Sequence, residues 1–335
     1  MLVEVLKPNQ FDNYSNLIDK VEATMLYHQL NYIQFVAELL SAEVEVFGIF
    51  QDTNLVAACP WIVKQGKYGK VYNSLAYYGA NGGIIAISNK FKQALEAQMM
   101  PAIAKSASTY AYTSNLLEDN TLQSTDKVVQ NRLAQVTHLP SENTEEALME
   151  IFHFKTRNMV RKGLKENIAF QKTRDFQFLY QTHVENMDAV GVTPKNKTFF
   201  EILDRYFEYG KDYEIFEALI DDDQAAAVLV FYHKNTVEYY MPAINVTHRN
   251  KQPLSALIYH VMGKCIEKGF KLWNWGGTPL SNENLYRFKN RFGANDYPYT
   301  IQIGVFNTDI LSHTPQEIGN QYSGMFVVPF DMLKG

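Results

Sequence analysis

Three strand-like runs follow one another with only turn residues between them: Glu214–Ile220, Ala225–Tyr232 and Thr236–Ala243, separated by Asp221-Asp-Asp223 and Lys234-Asn235. Turns this short leave no room for a crossover, so the runs read as strands in hairpin succession. Helical segments at Ile151–Glu166, Phe176–Met187 and Lys197–Tyr209 and a short strand at Ile168–Gln171 precede them. A helix from about Ser255 to Lys268, a strand through Trp273 and a basic-aromatic helix follow. That order predicts an α/β (α+β) fold, a central mixed sheet flanked by helices.

The first half of the chain repeats the pattern more loosely. Strands are expected near Val3–Val5, Glu45–Phe50, Leu55–Val63, Lys70–Ser74, Tyr110 and Lys127–Leu133, with helices at Asn13–Val21, Asn31–Leu40 and Phe91–Ser106. Pro101 is expected to kink or shorten the last helix. At 335 residues the chain exceeds the usual size of a single core. The expectation is therefore two tandem domains, 1–140 and 141–335, joined through the linker-like Thr137-His-Leu-Pro-Ser-Glu-Asn-Thr144.

A net charge of -5 argues against a broad basic surface that holds nucleic acid nonspecifically, though a local basic groove is compatible with it. Cys59 and Cys265 lie far apart without metal-ligand spacing. They read as small core residues of a reduced, cytoplasmic protein. The longest apolar run, Ala225–Tyr232, is too short to span a membrane, and Glu4 and Lys7 interrupt the amino-terminal segment. His28, His233, His248 and His260 have neither zinc-site spacing nor a triad order, and Asp221-Asp-Asp223 reads as a hairpin turn, so no metal is expected.

The candidate site lies at Phe270-Lys-Leu-Trp-Asn-Trp-Gly-Gly277 and Tyr286-Arg-Phe-Lys-Asn-Arg-Phe-Gly293. A strand there runs into a glycine pair, so a ligand can approach the backbone at Gly276 and Gly277 with no side chain in the way. A packed strand followed by a tight turn is the plainer reading of the same residues.

Residues from about 150 to 294 resemble the Fem family of peptidoglycan interpeptide-bridge aminoacyltransferases and related acetyltransferase-like proteins of envelope-polysaccharide pathways. The resemblance rests on Arg157-Asn-Met-Val-Arg-Lys-Gly163, Met187-Asp-Ala-Val-Gly191, Tyr239-Tyr-Met-Pro-Ala243, Arg249 to Pro253, Trp273-Asn-Trp-Gly-Gly277 and Phe288-Lys-Asn-Arg-Phe-Gly293. Thr24-Met-Leu-Tyr-His28, the hairpin near Val56–Trp61 and Tyr78-Gly-Ala-Asn-Gly-Gly83 extend it more weakly into the first half. It implies two GNAT-like domains and an enzyme that transfers an acyl or aminoacyl group to an amino group of a peptidoglycan or envelope-glycan precursor. The donor would be aminoacyl-tRNA or acyl-CoA, with no tightly bound cofactor. The acceptor would be a nucleotide- or lipid-linked amino sugar or muropeptide precursor, which leaves room for tRNA and for peripheral membrane contact.

The resemblance points to Lys289 as the first catalytic candidate, and Tyr240, a phenol on a strand able to donate to a carbonyl oxygen, and Asn274, on the candidate strand, join it. Arg161, Arg249, Lys251, Tyr239, Trp275, Gly276, Gly277 and Arg291 are candidates for binding substrate. Each has an ordinary alternative: Lys289 as a solvated lysine on an amphipathic helix, Tyr239 and Tyr240 as core tyrosines, and Arg157, Arg161 and Lys165 as a solvated i, i+4 stripe. Two departures stand out. His248-Arg-Asn-Lys-Gln-Pro-Leu-Ser255 contains no glycine where a CoA-binding loop would have it, and Asn274, where the family often has Asp, cannot be a carboxylate base. A noncatalytic carbohydrate-binding or scaffold protein on the same fold is the alternative function.

Overall fold

The computed structural model describes residues 2–334 apart from Tyr78, 119–121, 124–126 and Asn143. Tyr78 of the amino-terminal motif and Asn143 of the expected linker thus lie outside the described residues. The chain forms two compact units, one of Met1–Arg132 with Pro298–Gly335, the other of Leu133–Tyr297.

In the first unit β1 (Val3–Val5), α1 (Phe11–Lys20) and α2 (Leu30–Leu40) lead to β2 (Glu43–Gln51), β3 (Asn54–Gly66) and β4 (Gly69–Asn73). Short β5 (Ile85–Ala86), α3 (Asn89–Ala104) and β6 (Ala107–Thr113) follow. α3 continues through Pro101 to Ala104, so the proline does not end it before its last turn. β2, β3 and β4 pair antiparallel, and β6 lies parallel to β4. Trp61, Tyr72, Tyr110 and Tyr112 bury their rings together against Leu95, Met99 and Ile103 of α3.

The second unit receives β7 (Val128–His138) from Leu133 onward, then α4 (Glu145–Ile151), α5 (Phe154–Leu164), β8 (Ile168–Thr173) and α6 (Gln177–Asp188). The helix expected over Ile151–Glu166 is α5, and α4, not expected from the sequence, ends just before it because Phe152 is extended and buried and His153 caps α5 through its side chain. The helix expected at Lys197–Tyr209 is the pair of single turns α7 (Thr198–Glu201) and α8 (Leu203–Tyr206). β9 (Tyr213–Ile220), β10 (Asp223–His233) and β11 (Thr236–Ile244) form the antiparallel triplet. After α9 (Pro253–Glu267), β12 (Leu272–Thr278) lies parallel to β11 and α10 (Glu283–Arg291) follows. The core packs Val228, Val230 and Val237 of the sheet against Leu257, Val261 and Cys265 of α9.

The sequence-based boundary at 140/141 differs from the units found. β13 (Ala294–Val305) joins β6 of the first unit through Ile301–Val305, while β7 joins β12 of the second through Leu133–His138. The sheet of each unit is thus completed by a strand from the far end of the other half's sequence. Residues 298–335, including α11 (Pro315–Gln321), pack with the first unit, where Ile303, Ile310, Ile318 and Tyr322 form a common core.

Gly293 ends α10 with φ +79, and a Cβ there would sit 2.7 Å from the Ile151 carbonyl oxygen, a backbone atom that cannot swing aside. Gly293→Ala should therefore lower the urea midpoint, at a cost of about 1–3 kcal/mol. An unchanged midpoint would show that this turn has room to relax.

Candidate functional site

Alternation along β12 sends Trp273 and Trp275 to one face and Asn274 to the other. Both Trp rings pack with Tyr239, and Trp275 also meets Phe288 and Phe292 from α10. The indole of Trp275 donates to Thr137 Oγ1 at 2.8 Å. The register against β7 then slips: Asn274 faces Val136 but Gly277 faces Ala134, so Trp275 and Gly276 together oppose Gln135. This is a β-bulge. Gly276 adopts φ +70 within it, and a Cβ there would meet nothing within 4 Å, so the backbone conformation calls for glycine and the space beside it is open.

Asn274 is wholly buried. Its Oδ1 accepts from Gly276 N at 2.9 Å and its Nδ2 donates to Glu238 Oε2 at 2.7 Å. An ionised aspartate could accept the first bond but not donate the second. Asn274 therefore holds the bulge against β11, and its side chain is already engaged at both ends.

Lys289 is the least expected feature of the site. Its helix is amphipathic, yet the side chain is only 4% exposed. Nζ donates to Gly277 O at 2.8 Å, Gly276 O at 3.3 Å and Thr278 Oγ1 at 2.9 Å. Thr278 Oγ1 gives its own proton to Gln135 Oε1 at 2.9 Å, and the Gln135 amide leads on at 3.4 Å to Asp296, which also accepts from Tyr286 OH at 3.1 Å. Three acceptors match the three protons of an ammonium, while burial disfavours the charge. Burial prevails and pushes the Lys289 amine down to about 7.

β11 and β12 pair only through Thr236↔Leu272, Val237↔Trp273 and Glu238↔Asn274. Beyond that point β11 continues to Ile244 and β12 to Thr278 without pairing to each other, so the two strands part at the bulge that Lys289 holds. Tyr239, the first β11 residue past the last pair, buries a hydroxyl with no partner among the described residues, and burial pushes that phenol upward. Tyr240 has no opposite residue in β10, whose pairing skips from Leu229↔Met241 to Val230↔Tyr239. Its ring stacks on Phe199 and meets Phe231, so the two tyrosines enter different environments.

Among the described residues no contact gathers the remaining candidates around Lys289. Arg161 and Arg249 are exposed and Arg291 is half-buried. Lys251 pairs with Asp221 at 3.6 Å and Glu166 at 3.9 Å. Arg157 leaves the expected solvated stripe, because its guanidinium donates to the Phe152 carbonyl at 3.1 Å. His248 meets Asp223, His260 stacks on Phe170, and among the described residues no His, Cys, Asp or Glu group could hold a metal ion. Cys59 and Cys265 are buried free thiols.

Residues 155–297, within the second unit, match the family model described as acetyltransferase (GNAT) domain. That stretch has the sequence pattern of a GNAT domain. The crystal structure of FemX superposes with a TM-score of 0.70 at 12% identity, covering 92% of this chain and 98% of that one. The C-terminal domain of a putative lysylphosphatidylglycerol synthetase from Agrobacterium fabrum gives 0.59 at 11% identity, covering 96% and 99%. A tandem GNAT protein from the clavulanic acid biosynthesis pathway gives 0.50 at 10%, covering 91% and 98%. The chain thus has a Fem-like tandem GNAT fold. No curated protein sequence matches it.

Sequence reasoning missed Thr278, Gln135, Glu238 and Asp296 as parts of the polar network around the β12 bulge. Only Glu238, a carboxylate in the apolar run Thr236–Ile244, carried a local signal. A second buried pair also escaped it: Lys195 Nζ lies 5.1 Å from the Tyr240 ring, and its backbone amide donates to His183 Nε2 at 3.2 Å. Burial lowers Lys195 to about 7, and His183 to about 4 with help from the Lys195 charge.

The lowered Lys289 value has a consequence for stability. Its ordinary value is 10.5, so between about pH 7 and 10 the unfolded chain binds the extra proton and stability rises with pH. Lys195 acts in the same direction, so the comparison with Lys289→Met isolates the Lys289 share. Urea titrations should show wild type gaining on the variant across that window. A constant gap would contradict the lowered value.

Proposed function

We propose that the protein transfers an acyl or aminoacyl group to an amino group of a peptidoglycan or envelope-glycan precursor in the cytoplasm. The supporting observation is the parting of β11 and β12 beside a buried Lys289 amine, which leaves an open backbone face at Gly276 against a wall of Tyr239 and Trp275. In the reaction the acceptor nitrogen bonds to the acyl carbon and the carbon–oxygen or carbon–sulfur bond to the donor breaks. One proton leaves the acceptor amine and one reaches the departing oxygen or sulfur. Positioning and electrostatics can carry most of such a step.

Lys289 is assigned to the charge that develops on the leaving group, with Thr278 and Gln135 holding its amine in place. A value near 7 leaves that amine able to take up or release a proton near neutral pH. The Tyr239 hydroxyl, buried without a partner among the described residues, is assigned as the second donor, to the acyl carbonyl. Asn274 and Tyr240 then serve as positioning residues, the first through the bulge and the second through the Phe199 stack.

The donor phosphates are assigned to Arg249 and to the start of α9, where the Leu254 and Ser255 amides precede the first helical bond, from Ala256 N to Gln252 O at 3.2 Å. Pro253 offers no amide there, the loop has no glycine, and Lys251 is already shared by two carboxylates. These features favour aminoacyl-tRNA over acyl-CoA. Arg161 and Arg291 remain for a nucleotide- or lipid-linked acceptor.

The rival reading, a noncatalytic glycan-binding scaffold, has one specific observation in its favour: every proton of a charged Lys289 already meets a protein oxygen. Lys289→Ala separates the two. With charged tRNA and a muropeptide precursor, transfer followed by mass spectrometry should fall by about 10²-fold or more while the folded state persists. Wild-type glycan binding with no transfer from any acyl donor would favour the scaffold.

A further inference from the structure

Far from the β12 bulge in sequence, the carboxyl-terminal segment of the first unit lines a groove of about 540 Å³ against the start of β7. Its walls include Ile318, Met325, Phe326, Val327, Val328 and Phe330. Phe330 is 73% exposed, so a large aromatic ring stands in water at the groove's edge. Gly319 also lines the groove from within α11, and a Cβ there would meet nothing within 4 Å. Glycine weakens a helix relative to alanine, so local structure does not favour it. Its missing side chain keeps the groove open.

Arg132 lines this groove and also a neighbouring cavity of about 450 Å³ bounded in part by Asn115, Asn131, Tyr299 and Thr300. The guanidinium donates to Gln130 Oε1. Its Nε and Thr300 Oγ1 are buried and have no partner among the described residues. Two acids share these walls. Glu118 is raised by burial and lowered in turn by Lys92 and Asn115, and Asp331 is exposed. Neither forms an ion pair with Arg132 among the described residues. The guanidinium is half-buried with its Nε proton unmet, which calls for an acceptor, and separated donors at Arg132, Thr300 and Asn131 suit the oxygens of a phosphate.

We propose that the first unit binds a single-chain phosphate amphiphile, its apolar chain over Gly319 and its phosphate head on Arg132 and Thr300. Binding is read without turnover, so the outcome is separate from the acyl-transfer reading of the second unit. Dodecyl phosphate, titrated calorimetrically into the full chain below micelle-forming concentrations, should bind one molecule per chain. Gly319→Leu should fill the groove and Arg132→Gln should remove the head's counter-charge, each lowering affinity by about tenfold or more. Gly319→Ala, too small to obstruct, should bind as wild type does, and circular dichroism should report a folded chain throughout. Dodecyltrimethylammonium, with a comparable tail and the opposite charge, should not bind. No binding of dodecyl phosphate, equal binding of the cationic amphiphile, or unaltered affinity in folded Gly319→Leu and Arg132→Gln would overturn the proposal.

Discussion

A lysine amine taken out of water at the end of a strand organises the second unit. Gly276 and Gly277 present their carbonyls to Lys289, and Thr278 adds its hydroxyl. Gly276 lies where the ladder to β7 is interrupted, and an unpaired buried carbonyl is costly. The lysine satisfies both carbonyls and is itself satisfied, so the bulge and the buried amine depend on one another. Asn274 secures the same bulge from the opposite face through Gly276 N and Glu238. Between these anchors the backbone stays open, as an acyl donor approaching the strand would need.

Strand exchange explains why two halves of similar order do not fold as successive blocks. β7 and β13 each complete the sheet of the unit that contains little of their own sequence half. For the site this matters directly, because Gln135 and Thr137 on β7 hold Thr278 and Trp275. A site built on β12 thus borrows its support from a strand whose partner lies 143 residues away along the chain.

The fold class was legible because hairpin succession and helical period are local properties. The triplet β9–β11, the helix α9 and the strand through Trp273 stand where their patterns put them. Strand exchange was not legible, since an apolar run specifies that it will be paired but not with which partner. The break at Phe152 escaped for a similar reason: Phe at that position fits a helical period, and only its burial against Tyr259 and Phe292 shows why it leaves the helix. At the site, the basic-aromatic helix was visible but the burial of Lys289 was not, because an amphipathic pattern ordinarily sends lysine to water. Asn274 looked like a lost carboxylate, whereas its two-sided bonding makes the amide the residue that fits.

The most direct test is the titration of the Lys289 amine itself, followed by nitrogen and carbon NMR of labelled lysine and assigned by comparison with Lys289→Met. A midpoint near 7, accompanied by a shift of the Gly276 and Gly277 resonances over the same range, is the predicted result. A midpoint at the ordinary lysine value of 10.5 would mean that the amine reaches water, and that the strand opening is not organised around a buried cation.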